Sequence, residues 1–271
     1  MGTVATPRST GPSVYLFGAT SFAMGVVDLV WWRFPSGYEP IQVFGDRVPG
    51  VAIYLLVAAL GLCTGGLLVT NRRTARAGAA TLATLYFAFA LLWTPRLYYA
   101  PHYLGLHAAV FTGVLDGLFQ QAILCAAALV IYASTIEPSP VWTRRLSAVR
   151  WVFGISCIDF GLQHYLDVAG VASLIPKWFP GAGFWTVLSG TGFILSGIAF
   201  LSGVLDVLAA RLLAVMLLVM SAVVLVPQLF VFPRDQGAWS ANAFNLTAVA
   251  AAWVLAEWLQ SRPRGPAAAA K

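Results

Sequence analysis

Phe17-Gly18-Ala19-Thr20-Ser21-Phe22-Ala23-Met24-Gly25-Val26-Val27-Asp28 and Phe153-Gly154-Ile155-Ser156-Cys157-Ile158-Asp159-Phe160-Gly161-Leu162-Gln163-His164 set a phenylalanine-glycine pair and a second glycine at matching positions (153 − 17 = 161 − 25 = 136). Each stretch opens a long apolar region, and further landmarks recur beyond it. Pro49-Gly50 matches Pro180-Gly181, and Pro95 and Pro101, with aromatic residues between them, match Pro227 and Pro233. The chain reads as one four-span unit written twice, over residues 14–134 and 147–260. A duplicated membrane bundle places what it binds between its repeats.

Composition sets the class. The chain is 59% hydrophobic and 10% charged, where soluble domains carry roughly 25% charge. Apolar runs near the roughly 20 residues needed to cross lipid recur along it. Spans are expected at 14–32, 49–70, 77–94, 107–134, 147–168, 183–203, 207–227 and 240–260. The expected fold is all-α: a polytopic membrane protein with eight transmembrane helices as two parallel four-helix repeats. The connections are too short to hold a soluble domain. The leader before the first span has one arginine, Arg8, and no clear small-residue cleavage site, so that span is read as a retained helix.

Lysine and arginine fall unequally about these spans. One side takes Arg8, Arg72, Arg73, Arg76, Arg144, Arg145, Arg150, Arg211, Arg262, Arg264 and Lys271; the other takes Arg33, Arg47, Arg96, Lys177 and Arg234. The positive-inside rule then puts both termini in the cytoplasm. The net charge of +6 reflects topology and contact with the anionic lipid of the bilayer, and no basic soluble face exists for nucleic acid. The matched connections 33–48, 95–106, 169–182 and 228–239 fall outside. Their aromatics, among them Trp31, Trp32, Tyr38, Tyr98, Trp178, Trp185 and Trp239, read as an interfacial belt, or else as a lid of short re-entrant segments over an outward cavity.

Ionisable groups inside spans are costly, and they mark candidate sites. Asp28 lies in the first span, Asp116 with Gln120 and Gln121 in the fourth, and Asp159, Gln163 and His164 in the fifth. Asp159 and Gln163, four apart, share a helix face. At the repeat spacing His164 falls opposite Asp28 (28 + 136 = 164), so the two are expected to meet across the bundle centre, where a carboxylate would orient an imidazole for proton transfer. Asp28, His164, Asp159 and Asp116 are therefore the catalytic candidates, with Gln163, Gln120, Asn245 and Trp185 as ligand-binding candidates. The plainer alternative is polar glue between helices. No metal set emerges. His107 and His164 could hold a haem from facing helices, but no spacing calls for it. Cys63, Cys125 and Cys157 sit singly and read as small buried hydrophobes.

Residues 150–259 resemble the DoxX-like membrane proteins. The resemblance rests on Phe153-Gly154 through Phe160-Gly161-Leu162-Gln163-His164-Tyr165, then Leu174-Ile175-Pro176-Lys177-Trp178-Phe179-Pro180 with Phe184-Trp185, then Pro233-Arg234-Asp235 and Trp239. It implies a four-helix unit, here fused to a diverged copy in which Asp28 replaces the histidine. It also implies membrane redox work linked to quinone, with the electron donor on a redox partner subunit. From the residues alone, an acid–base isomerase or cyclase acting on a lipophilic small molecule fits the same side chains. So does a transporter, or a non-catalytic membrane subunit.

Overall fold

The computed structural model describes residues 11–35, 49–137 and 140–262. The expected connection at 36–48 with Tyr38 and Arg47, the leader with Arg8, and the tail with Arg264 and Lys271 lie outside these residues. Among the described residues every regular element is helical.

In the first half, α1 (Pro12–Trp31) starts on a proline at its first turn, where the missing N–H costs nothing, and ends at Trp32 in the left-handed region. The chain then enters α2 (Val51–Val69) through Gly50, whose φ of +75° suits glycine. Next come α3 (Ala75–Trp93) and the short α4 (Arg96–Leu104), separated at Thr94-Pro95, and α5 (Ala108–Ser134).

The second half opens with α6 (Pro140–Leu166), which begins seven residues before the expected span, followed by the short α7 (Val168–Ser173). The entry to α8 (Ala182–Ser202) repeats the earlier device, with Gly181 at φ +74°. The expected continuous span at 207–227 is interrupted: α9 (Asp206–Met220) passes through a π-helical turn, Ser221–Leu225, into α10 (Val226–Val231). Pro227 lacks an N–H, and the widened turn accommodates that loss. The last helix, α11, covers Gln236–Ser261.

Packing pairs α1 with α2, α2 with α3 and α3 with α5; in the second half it pairs α6 with α8, α8 with α9 and α9 with α11. The halves join where α5 meets α6, where α1 meets α11, and where α5 meets α11. The tightest crossings rest on glycine. A Cβ on Gly66 would stand 2.5 Å from the Gly18 carbonyl oxygen, and one on Gly197 would stand 2.7 Å from that of Gly154. In lipid, such close backbone approach replaces the hydrophobic drive that holds soluble helices together.

Among the described residues, six helical stretches are long and apolar enough to cross a membrane: Pro12–Trp31, Val51–Val69, Ala75–Leu104, Ala108–Ser134, Ala182–Ser202 and Asp206–Val231. The chain is accordingly a polytopic helical membrane protein. The long α6 and α11 are not among the six; they carry Arg150, Asp159, Gln163 and His164, and Asn242 and Asn245, respectively.

Candidate functional site

Helix α6 sorts its side chains into three stripes. Gly154 and Gly161 turn to α8, where added Cβ atoms would strike Leu201 and Ile194. Phe153, Cys157, Phe160 and His164 face a cavity. Gln163 turns to α5, bonded to the Thr112 hydroxyl. The 3.6-residue period produces the division, since positions three, four and seven apart share a face.

The cavity is about 160 Å³ and lies among α5, α6, α8, α9 and α11. Its walls are aromatic and aliphatic, with Phe153, Phe160, Phe193 and Phe244 prominent. Four polar side chains reach it: Asp116, Gln120, His164 and Asn245. The His164 Nδ1–H donates to the Phe160 carbonyl at 2.7 Å, which fixes the neutral ring with its lone pair on Nε2. That Nε2 is buried and has no hydrogen-bond partner. Gln120 donates from Nε2 to Asp116 Oδ2 at 2.8 Å, one turn back on α5.

Asn245 has a structural duty as well. Its amide donates to the Leu217 carbonyl at 2.9 Å and to Ser221 Oγ at 2.6 Å, while Asn242 donates to the Leu225 carbonyl at 2.8 Å. Two asparagines of α11 thus cap the polar groups at either end of the π-helical turn. Both N–H groups of Asn245 are used, leaving its carbonyl oxygen for a ligand.

The remaining candidates lie elsewhere. Asp159 is 6% exposed, with a buried Oδ2 that lacks a partner; it does not line the cavity, although its charge and that of Asp116 lie within reach of one another. Gln163 is likewise outside the cavity, held on α5. Trp185 is 40% exposed, donates to the Pro180 carbonyl and stacks with Phe179 and Phe184. It belongs to an outer aromatic cluster and does not reach the cavity, because the α8 residue that does is Phe193, more than two turns further on.

The expected meeting of Asp28 and His164 is not observed. Asp28 is fully buried on α1 but is not a cavity residue. One turn earlier, Met24 receives contacts from Tyr86 OH and Thr247 Oγ1, so this face of α1 looks towards α3 and α11. His164 stands on α6, which packs on α5 and α8. The physical reason lies in the order of packing: each opening helix docks on the closing helix of the other half, and the α5–α11 contact stands between them. Positions matched at the 136-residue spacing are therefore not facing positions.

Sequence reasoning missed the aromatic walls and Met220, which are apolar residues in apolar spans and carry no local signal. It also treated Asn245 as a ligand group alone; the nearby Pro227 was the clue to a helix in need of capping. Among the described residues no group of three or more His, Cys, Asp or Glu is arranged to hold a metal ion.

The chain matches no protein-family model, no curated protein and no solved structure. No relative lends it an activity.

Proposed function

We propose that this chain binds the ring head of a lipophilic quinol inside the membrane, within quinone-linked redox chemistry. The observation that carries the reading is the cavity's balance of hydrogen-bonding groups. His164 Nε2, the Asp116 carboxylate and the Asn245 carbonyl are acceptors, and among the four polar side chains only Gln120 keeps an uncommitted N–H. Such a rim fits a ligand that donates, as the two hydroxyls of a quinol do. Size supports the same choice: an apolar cavity of about 150 Å³ takes one benzene ring, and this cavity is about 160 Å³. An isoprenoid tail would lie outside it, among lipid. On oxidation the two hydroxyl protons pass to acceptors at the rim and the two electrons to an electron-accepting redox group on a partner subunit, the reverse of the electron-donating partner that the resemblance implies.

The same proposal takes the chain as two DoxX-like four-helix units with eight crossings. The recurring Gly18–Gly66 and Gly154–Gly197 crossings and the two left-handed glycine entries support it. The polar character of α6 and α11 is compatible with crossing lipid, because polar residues in membrane helices face the bundle interior. The DoxX-like resemblance points to a bacterial inner membrane, and the eleven-to-five distribution of lysine and arginine supports both termini in the cytoplasm.

The test is binding of decylbenzoquinol and of its oxidised quinone to the purified protein in detergent, followed by tryptophan fluorescence. The reduced ring should bind more tightly, and His164→Phe and Asp116→Asn should each weaken it about tenfold, the cost of one buried hydrogen bond. Equal binding of both redox forms, or unchanged binding in both variants, would refute the proposal.

A further inference from the structure

The contact between α5 and α6 carries a second arrangement, set by register. The two helices run antiparallel, and the Thr112–Gln163 hydrogen bond fixes their alignment. Residue numbers facing each other in such a pair keep a constant sum, and 112 + 163 = 116 + 159. Asp116 and Asp159 therefore lie at one level. Each is four residues from a member of the bonded pair, which puts it on the same face as that member. Two carboxyl-bearing positions come level on one seam between the helices.

One turn further, Ser156 on α6 continues the seam. It is fully buried, and its Oγ has no hydrogen-bond partner, although a helical serine ordinarily bonds a carbonyl one turn back. Asp159 Oδ2 is likewise buried and without a partner. Two orphan oxygens on one face of α6, beside a second carboxylate, would be costly if both acids were ionised.

We infer that Asp116 and Asp159 share a single proton across the α5–α6 seam and together form the proton store of the cavity. Asp116 borders both the cavity and the seam; Asp159 stands behind it. Two buried acids set level across one helix contact in a medium of low dielectric resist ionising together, and one proton between them supplies the donor that Asp159 Oδ2 lacks. Among the described residues no salt bridge reaches either acid. On α6 the neighbouring titratable group is His164, whose Nδ1–H is taken up by the Phe160 carbonyl. On α5 it is Asp116 itself, and α8 has no ionisable side chain. On α9 and α11, Asp206, Arg211 and Glu257 lie at the opposite end of the bundle. On α3, Arg76 contacts Tyr132 at that same end, and Tyr86 pairs with Ser21. On α4, Arg96 stacks on Trp93, whose ring packs against Gly117, about a quarter-turn of α5 away from Asp116. The seam leads towards the α5 N-terminus, past the Thr112–Gln163 hydrogen bond.

This inference deepens the quinol reading by naming where a released proton goes, yet it is tested without any ligand. Infrared difference spectra of wild type minus Asp116→Asn and wild type minus Asp159→Asn, recorded at neutral pH on ligand-free protein, report the C=O stretch of a protonated carboxylic acid. The expected result is one such band in the wild type, lost in both variants, because each leaves a single carboxylate beside an amide donor. Gel filtration and thermal melting of both variants confirm that they remain folded. Absence of the band in the wild type, or its persistence in either variant, overturns the shared proton. Failure of quinol binding with the band intact would overturn the ligand reading and leave the pair standing.

Discussion

His164 donates from Nδ1 to the carbonyl of Phe160, four residues back on its own helix, at 2.7 Å. The bond turns a histidine into a directed acceptor. It occupies one ring nitrogen with backbone and leaves the other, buried and without a partner, beside the cavity. A prediction follows from the tautomer. Nitrogen NMR of protein labelled at histidine should show His164 protonated at Nδ1 and bare at Nε2 in the ligand-free state, and a quinol should shift the Nε2 resonance. A proton on Nε2 in the empty protein would contradict the donor-seeking cavity.

The asparagines of α11 should matter for stability beyond any ligand. Asn242→Leu removes the donor to the Leu225 carbonyl, and Asn245→Leu removes those to Leu217 and Ser221. Leaving such groups unsatisfied away from water costs about 1–3 kcal/mol each. Both variants should unfold at lower temperature in detergent, with or without ligand. Wild-type melting in either would show that water or lipid takes over the capping.

Glycine tolerance should follow the helix crossings. Gly66→Ala and Gly197→Ala place a methyl group within 2.7 Å of a facing carbonyl oxygen and should destabilise by about 1–3 kcal/mol. Gly183→Ala meets nothing within 4 Å and should melt like wild type, or slightly above it given the better helix propensity of alanine. Equal melting temperatures for all three would show that the crossings flex.

Trp185 and Gln163 separate site from surroundings. Trp185→Phe alters an exposed aromatic cluster and should leave quinol affinity unchanged. Gln163→Leu breaks the Thr112 bond and should loosen the α5–α6 register, lowering thermal stability more than affinity. A large loss of affinity in Trp185→Phe would move the ligand outwards to the aromatic belt.

Membrane class, the helical content and the approximate positions of the long helices were legible in the sequence because lipid imposes a coarse rule: about 20 apolar residues make a crossing. Gly18, Gly25, Gly154 and Gly161, which carry the matched spacing, all lie at helix crossings in the structure. Four of the eight candidate site residues, Asp116, Gln120, His164 and Asn245, do line one cavity; each is a polar residue in an apolar span, which is a local signal.

What only the tertiary structure decided is which of these groups meet. Asp28 and His164 match at the 136-residue spacing of the sequence, but α1 docks on α11 and α6 on α5, so the expected pair is apart. Asp116 and Asp159, from different halves, come level through the register of one antiparallel contact. The aromatic walls around them and the π-helical turn at Ser221–Leu225 were equally hidden. Periodicity assigns a residue to a face of its own helix; which neighbour that face meets depends on how all the helices pack together, and no single stretch of chain contains that information.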